Sequence, residues 1–197
     1  MNISYVGPLI DDIQVLTRLP EGILNALQNQ NGFILEGGGF HVRGACLGPM
    51  WHSLRAAWEG EFAFNRLYPQ VAESDIPIAE DCFGDQFLLR GGQVMQLAGE
   101  TGEIKHTGKS WDEFIACVDA DPVEFLQLQW LDRFRKEGGI LSPGYLISVY
   151  PPFVVKECVN PSLRPIPPLE RRSALADFAR QIQNVQDGQK IRITVRP

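Results

Sequence analysis

The stretch that decides the fold of this chain runs from Ile76 to Ile115 and reads IPIAEDCFGDQFLLRGGQVMQLAGETGEIKHTGKSWDEFI. It begins with a segment from Ile76 to Ala79 whose proline favours an extended backbone. Glu80 to Asp85 follows as a turn-rich loop that carries three carboxylates. The opening of the stretch therefore predicts a strand that leads directly into an acidic turn.

A hairpin signal comes next. The segments Gln86 to Arg90 and Gln93 to Leu97 flank Gly91-Gly92, and adjacent glycines supply the positive φ angles that tight hairpin turns require. A third segment, Glu103 to Thr107, follows the turn at Glu100 to Gly102. Because connections this short force neighbouring strands to run in opposite directions, the three segments predict an antiparallel meander.

Two helix starts follow the meander. Ser110 and Glu113 form a capping-box pattern, in which each side chain satisfies a free amide at the first turn of a helix. Asp121-Pro122 marks a second start with proline at the first helical position, and this helix is predicted to continue to Gly138-Gly139. Helices are therefore expected on at least one face of the sheet.

The residues before Ile76 contain further elements. Leu19-Pro20-Glu21 opens a short helix that Asn31-Gly32 ends, and the glycines within Phe33 to Arg43 indicate a second hairpin. Apolar residues recur near helical spacing from Pro49 to Tyr68, although Gly60 weakens the middle of that segment. We therefore predict a single helix there, either straight or kinked.

The carboxyl-terminal part has a different, proline-rich texture. It is predicted to contain a strand at Tyr145 to Tyr150, a helix from about Leu169 to Gln183 and a strand at Lys190 to Val195. The predicted fold class is α+β, with a central antiparallel sheet flanked by helices and a C-terminal strand-helix-strand extension. We predict one α+β domain over residues 1–138, with the extension, residues 139–197, packed on or beside it.

The charge of the chain is unevenly distributed. Of its 197 residues, 44% are hydrophobic and 21% charged, a composition typical of a folded globular protein. Residues 61–121 carry 12 acidic and 4 basic groups, whereas residues 122–197 carry 7 acidic and 11 basic groups. A nucleic-acid binder needs a basic footprint to neutralise phosphates, and the acidic middle offers none. We therefore expect no nucleic-acid partner.

Location and cofactors are predicted from what the sequence lacks. Met1 to Asp12 has no basic residue before its apolar positions, which argues against a secretory signal and favours the cytoplasm. The longest apolar stretch, Tyr145 to Val155, is interrupted by Pro151-Pro152, so no membrane segment is predicted. No CxxC or zinc-ligand spacing occurs, so we predict no metal or cofactor and expect buried free thiols at Cys46, Cys82, Cys117 and Cys158.

Two groups of residues permit an enzymatic interpretation as well as a structural one. Glu80, Asp81 and Asp85 could serve acid-base catalysis if their environments separated their pKa values, and Cys82 could be a nucleophile. The base would then be one of the three histidines, His41, His52 and His106. Nothing in the spacing of these residues favours either reaction over local structure, with Asp85 bonding the amides after Gly84. We therefore predict that the chain is not an enzyme.

Other residues also have structural interpretations. Gly37-Gly38-Gly39 is followed by no Lys-Ser/Thr and no sustained helix, so it predicts a turn and not a phosphate loop. The four tryptophans lie at helical core spacings. The tail arginines could bind an anion, although a solvated role or one opposite the acidic block within the chain is commoner; they are Arg164, Arg171, Arg172 and Arg180.

The middle of the chain resembles the SUKH superfamily, which contains the fungal Smi/Knr cell-wall-synthesis regulators and many bacterial proteins. The resemblance covers about residues 15–118. Upstream it includes Leu19-Pro20, Asn31-Gly32-Phe33, Gly37-Gly38 and Leu47-Gly48. Its central features are Ile76 to Leu89, Gly92, Val94, Glu100 to Glu103 and Ser110 to Ile115. It implies an α+β fold with a central antiparallel sheet.

The resemblance also implies a binding role, because bacterial members are frequently immunity proteins that block a toxin, often a nuclease, and fungal members act as regulatory partners.

Two features depart from the family pattern. Gln86 to Leu89 lacks the polar or acidic residue often found late in that motif, and the part beyond Gly139 has no place in the minimal domain. The extension is a candidate determinant of partner choice.

The functional prediction is therefore a non-catalytic protein-binding protein, most concretely an immunity protein that neutralises a cognate toxin. The alternatives are a regulatory scaffold of the Smi/Knr type with endogenous partners and a hydrolase. An acidic surface would complement the basic cleft of a nuclease. The predicted partner-binding residues are Glu80, Asp81, Asp85, Glu100, Glu103 and Asp112. This role requires that the basic tail leave the acidic block exposed.

Overall fold

A computed structural model of the protein describes residues 1–156, 158–186 and 188–190. The strands in these residues are β1 Ile3–Val6, β2 Phe33–Leu35, β3 Phe40–Val42, β4 Ile76–Asp81, β5 Gln86–Arg90, β6 Gln93–Leu97, β7 Ile104–Ser110, β8 Leu146–Tyr150 and β9 Ser162–Ile166. The helices are α1 Ile13–Leu16, α2 Glu21–Asn29, α3 Leu54–Trp58, α4 Phe64–Leu67, α5 Trp111–Ala120, α6 Pro122–Phe125, α7 Gln129–Lys136 and α8 Pro168–Ile182.

Strands β1 to β7 form one antiparallel sheet in sequence order, and β8 and β9 form a separate antiparallel pair. Short connections place β2 beside β3 and put β4 to β7 side by side, whereas the connections from β1 to β2 and from β3 to β4 are long and contain helices. At the β5–β6 turn, Gly91 and Gly92 have φ angles of 57° and 83°, as the hairpin signal predicted. The predicted fold class, an α+β protein with a central antiparallel sheet, is confirmed.

The capping box before α5 is present in full. Ser110 accepts a hydrogen bond from the backbone amide of Glu113, and the Glu113 carboxylate accepts one from the amide of Ser110. Pro122 begins α6, and Asp121 caps it by accepting from the Glu124 amide. Local sequence thus fixes where both helices begin.

Several predicted elements differ from those observed. The segment from Pro49 to Tyr68 forms two short helices, α3 and α4, with Gly60 between them. The helix predicted from Asp121 to Gly138 is interrupted between α6 and α7, where Gln127 adopts a φ of 55°. Strand β9 was not predicted, because Pro165 within it and the prolines that flank it disfavour a ladder. The strand predicted at Lys190 to Val195 lies outside the described residues, except for Lys190.

Each face of the sheet packs against a different set of helices. On one face, Phe87 of β5 lies 4.8 Å from Phe114 of α5, measured between ring centroids. On the other face, Leu88 and Met95 belong to a core cluster with Phe64 of α4 and residues of α8. Because side chains alternate along a strand, neighbouring residues of β4 and β5 contribute to different layers.

The extension packs onto the sheet domain. The Ile147 amide of β8 donates a 2.7 Å hydrogen bond to the carbonyl of Cys82, directly after β4. Ile147 and Val149 are buried in the same core cluster as residues of β4 and α5. Among the described residues, no helix has the length and apolar character needed to cross a membrane.

Candidate functional site

The six predicted partner-binding acids fall into two groups. Glu80, Asp81 and Glu100 are 2%, 5% and 8% exposed, and Asp85 is half-buried. Only Glu103 and Asp112 are exposed. The prediction that the acidic loop after Ala79 presents its carboxylates to a partner therefore needs correction, since most of them are used inside the protein.

Glu80 lies at the centre of a buried charge cluster beneath α8. Its Oε1 accepts a 2.6 Å hydrogen bond from Arg172, and its Oε2 accepts a 2.8 Å bond from Arg43. Gln86 bonds both Glu80, at 3.2 Å, and Arg43, at 2.6 Å. Both guanidinium groups also lie over the ring of Phe64, at 5.3 and 5.6 Å from its centroid. The cluster thus joins α8 to the sheet by charge-assisted hydrogen bonds.

The electrostatics of this cluster favour an ionised Glu80. Burial opposes ionisation, but the guanidinium groups of Arg172 and Arg43 outweigh it and hold the pKa of Glu80 well below its usual range. Burial also lowers the pKa of Arg43 to about 9 and that of His41 to about 4. His41 is therefore neutral at pH 7, with its Nδ1 3.0 Å from Oε1 of Glu80.

Asp81 projects to the opposite side of the sheet and organises the loop that follows. Its Oδ1 accepts hydrogen bonds from the amides of Phe83, Gly84 and Asp85 at 2.8, 2.9 and 3.0 Å. Asp81, and not Asp85, is therefore the residue that caps this turn. Asp85 instead accepts from the Gly99 amide at 2.8 Å, which joins two loops of the meander.

Glu100 holds the extension at a second place. Its two carboxylate oxygens accept hydrogen bonds from the amides of Phe153 and Val154 at 3.1 and 3.0 Å. The guanidinium of Arg171 lies 4.0 Å away and donates to the carbonyl of Phe83. The basic tail thus covers part of the acidic block, and two of the tail arginines have the intramolecular role considered from the sequence.

The residues weighed as nucleophile and base do not form a catalytic arrangement within the described part of the chain. Cys82 is fully buried, and burial together with the charge of Asp81 raises the pKa of its thiol well above the usual range. Nε2 of His41 lies 2.8 Å from Nδ1 of His52, and His106 is exposed on β7. No hydrogen bond between described residues joins Cys82 or Asp81 to a histidine.

A cavity of about 500 Å³ opens on the face of the sheet that carries Asp81 and Asp85. Both carboxylates line it, together with polar groups that include Gln96 and Lys109. Aromatic side chains from the sheet, the helices and the extension supply its apolar wall, namely Phe83, Phe87, Phe114, Phe125, Trp130 and Phe153. Sequence reasoning missed this cavity because its walls are far apart in the chain.

The densest run of exposed acids among the described residues lies on the helices that follow the meander. Between Ser110 and Leu131 the chain has five acidic residues and no basic one. All five are exposed on or beside α5 and α6. We call this surface the α5–α6 acidic face, formed by Asp112, Glu113, Asp119, Asp121 and Glu124. A run of like charges along exposed helices is a signal that the sequence alone contains.

An apolar groove borders this face. It has a volume of about 320 Å³ and lies between α2 and α5, with Ile23 and Leu27 on one side and Trp111 and Ile115 on the other. Asp112 and Asp119 also line it, which places acidic groups beside an apolar cleft. We call this feature the α2–α5 groove.

Comparisons with known proteins support the fold alone. No family model and no curated protein matches the chain. The structure is similar to the crystal structure of Atu4351 from Agrobacterium tumefaciens, with a TM-score of 0.53 and 16% identity over 88% of this chain and 85% of that chain. The similarity extends over most of the α+β architecture, and the SUKH resemblance stays a prediction.

The environment of Asp81 leads to a prediction about pH. Burial and the charge of Asp85 raise the pKa of Asp81 well above the ordinary carboxyl value of 3.8. As the pH rises above 3.8, Asp81 loses its proton in the unfolded chain before it does so in the folded protein. The contribution of Asp81 to the free energy of unfolding therefore decreases with rising pH until the pH exceeds the pKa of Asp81 in the folded protein. Asp81→Asn keeps an oxygen for the loop amides but does not titrate.

We therefore expect the stability of Asp81→Asn relative to the unsubstituted protein to increase between about pH 4 and pH 7. Urea denaturation at several pH values across this range measures the difference directly. If the difference in the free energy of unfolding between the two proteins stayed constant or shrank as the pH rose, the burial of the Asp81 carboxylate would be contradicted.

Proposed function

We propose that this chain is a non-catalytic protein-binding protein, most concretely an immunity protein that neutralises a cognate toxin, with a nuclease as the partner class that its charge fits best. The observation that carries the proposal is the α5–α6 acidic face beside the α2–α5 groove. Of the predicted interface residues, Asp112 belongs to this surface and Glu103 lies exposed just before β7.

The charge of the surface supports a basic partner. Of the five exposed carboxylates, Asp119 pairs with the N-terminal ammonium of Met1 at 2.7 Å. The other four give a local field that attracts cationic proteins and raises their association rate. The cleft of a nuclease is basic because it binds phosphates. Occupation of that cleft by carboxylates would block its substrate contacts, which is the action required of an immunity protein.

The groove supports a specific contact in addition to the charge. Protein interfaces commonly combine an apolar centre with a polar rim, and aromatic residues often provide much of their binding energy. Trp111 and Ile115 give the groove such a centre, while Asp112 and Asp119 supply acidic groups next to it. A partner segment with one apolar side chain between basic residues fits this arrangement.

The alternative of a hydrolase receives less support. Cys82 is buried with a thiol pKa well above its usual range, whereas a nucleophilic cysteine needs a lowered pKa and access to substrate. The carboxylate of Glu80 is engaged by Arg43 and Arg172 beneath α8. The chemistry of these residues is better explained by folding than by catalysis.

Co-expression with the product of the neighbouring gene tests the proposal. We expect protection of growth and a complex that co-purifies with the chain. In that complex, the double substitution Asp112→Lys/Asp119→Lys should weaken binding by about tenfold or more, because it places like charges opposite a basic partner. Calorimetry with the purified proteins measures the change.

Glu61→Lys/Glu73→Lys is the matched control, since it changes the net charge equally at two other exposed acids. This control should bind within about twofold of the unsubstituted protein. Equal losses for both double variants would mean that only the overall charge matters. Absence of both protection and complex formation would contradict the immunity role, and endogenous partners recovered without protection would favour the regulatory scaffold.

A further inference from the structure

The aromatic cavity on the Asp81 side of the sheet has features that neither the fold nor the proposed protein interface requires. Its volume of about 500 Å³ is in the range of cavities that hold small organic molecules. It combines six aromatic side chains with two carboxylates, Asp81 and Asp85. Burial raises the pKa of both carboxyl groups, so a positive charge bound beside them would stabilise their ionised forms.

Asp81 leaves one oxygen available. All three of its hydrogen bonds from described residues end on Oδ1, and none ends on Oδ2. The residue is 5% exposed and lines the cavity. Oδ2 is not among the fully buried atoms that lack a partner, so it is accessible from the cavity, and a ligand with a positively charged donor could form a charge-assisted hydrogen bond to it.

The cations of the protein do not neutralise the two carboxylates directly. Among the described residues, neither Asp81 nor Asp85 forms an ion pair. Arg171 donates to the carbonyl of Phe83, and Lys105 is paired with Glu103 at 3.3 Å. Lys109 lines the cavity without an ion pair to a described residue, so it would repel a bound cation and attract an anion.

The aromatic wall favours the same ligand class as the carboxylates. The ring centroids of Phe83 and Phe153 lie 5.4 Å apart, and those of Phe153 and Trp130 lie 5.9 Å apart, so these three rings form a continuous surface. The faces of aromatic rings attract ammonium and guanidinium groups and also pack against alkyl chains. Aromatic faces and carboxylates together form a chemically consistent site for an organic cation.

We propose that this cavity binds a small organic cation, an ammonium or guanidinium group on a short apolar chain, with Asp81 and Asp85 as the charge partners and the aromatic rings as the wall. The proposal does not depend on the protein-binding role. Its site is separate from the α2–α5 groove, since the lining residues of the two are different.

Calorimetric titration of the purified full chain with butylguanidinium, and separately with butylurea, tests the proposal. The two compounds have similar shapes, but only the first is charged. We expect butylguanidinium to bind at least about tenfold more tightly, because charge-assisted hydrogen bonds to carboxylates are stronger than neutral ones. Equal binding of both compounds, or no binding of butylguanidinium at millimolar concentration, would overturn the proposal.

Variants locate the binding. Asp81→Asn should weaken butylguanidinium binding by about tenfold or more, and Glu103→Gln, which removes one exposed acid outside the cavity, should leave it within about twofold. Lys109→Met should tighten it. Asp85→Asn provides a second variant if Asp81→Asn does not fold. Unchanged binding in a folded Asp81→Asn or Asp85→Asn protein, or weaker binding in Lys109→Met, would contradict the assigned site.

Discussion

Glu80→Gln is expected to lower the free energy of unfolding by about 3–5 kcal/mol, because it removes the only negative charge among the described residues of a buried cluster and leaves the cations there uncompensated. In the described cluster, Glu80 contacts both Arg43 and Arg172, and each of these arginines is buried. Glutamine has nearly the same shape as glutamate, so the loss of stability results from the missing charge and not from altered packing. Urea denaturation at pH 7 measures it.

Glu103→Gln is the matched control, since it makes the same chemical change at an exposed position. It should alter the free energy of unfolding by less than about 0.5 kcal/mol. A double-mutant cycle with Arg172→Met isolates the contact between Glu80 and α8, and a coupling above about 1 kcal/mol is expected. If Glu80→Gln were as mild as the control, the buried cluster would not be what fixes α8 to the sheet.

Gly84→Ala should produce the second large effect, because the loop after β4 touches α8 at this glycine. Gly84 has a φ of +104°, and a Cβ there would lie 2.5 Å from Cδ1 of Leu175. The backbone strain costs about 1–3 kcal/mol, and overpacking against the helix adds about 1–3 kcal/mol. Thermal or urea denaturation should therefore show a marked loss of stability.

Gly91→Ala separates these two contributions, since Gly91 also has a positive φ, of +57°, but open space around its Cβ position. Gly91→Ala should therefore lower the free energy of unfolding by the backbone-strain contribution alone. Leu175→Ala combined with Gly84→Ala should cost less than the sum of the single substitutions, because the shortened side chain makes room for the new methyl group. Additive losses would contradict the contact between the loop and α8.

Much of the fold could be predicted because its signals are local. The glycine pair at the β5–β6 turn, the Ser110 capping box and the proline at the start of α6 each specify backbone geometry within a few residues. The break at Gln127 could not be predicted, since neither glycine nor proline marks it. Strand β9 was missed because Pro165 within it and the flanking prolines conceal its pairing with β8.

The candidate site was predicted less well, for a physical reason. Acidic residues near one another in sequence indicate negative charge, but they do not reveal whether solvent, a partner or the chain itself balances it. Glu80 is balanced by Arg172, which is 92 residues away, and Glu100 binds amides more than 50 residues away. The charge contrast between the middle and the tail left open whether the tail covers the acidic block or leaves it exposed.

The burial of the loop carboxylates changes which surface is expected to bind a partner. The loop acids from Glu80 to Asp85 organise the fold, and the proposed binding surface is the run of exposed acids on α5 and α6 instead. A partner that docks there would contact helices whose starts are fixed by strong caps. Such a surface needs little ordering on binding, which favours affinity.

Hydrogen exchange of the chain, alone and in complex with the product of the neighbouring gene, tests the central claim most directly. If the α5–α6 acidic face and the α2–α5 groove form the interface, amides in Glu21–Asn29 and Trp111–Phe125 should exchange more slowly in the complex, with little change in Pro168–Ile182. Protection confined to Pro168–Ile182 or to other parts of the surface, with Trp111–Phe125 unchanged, would contradict the proposed interface.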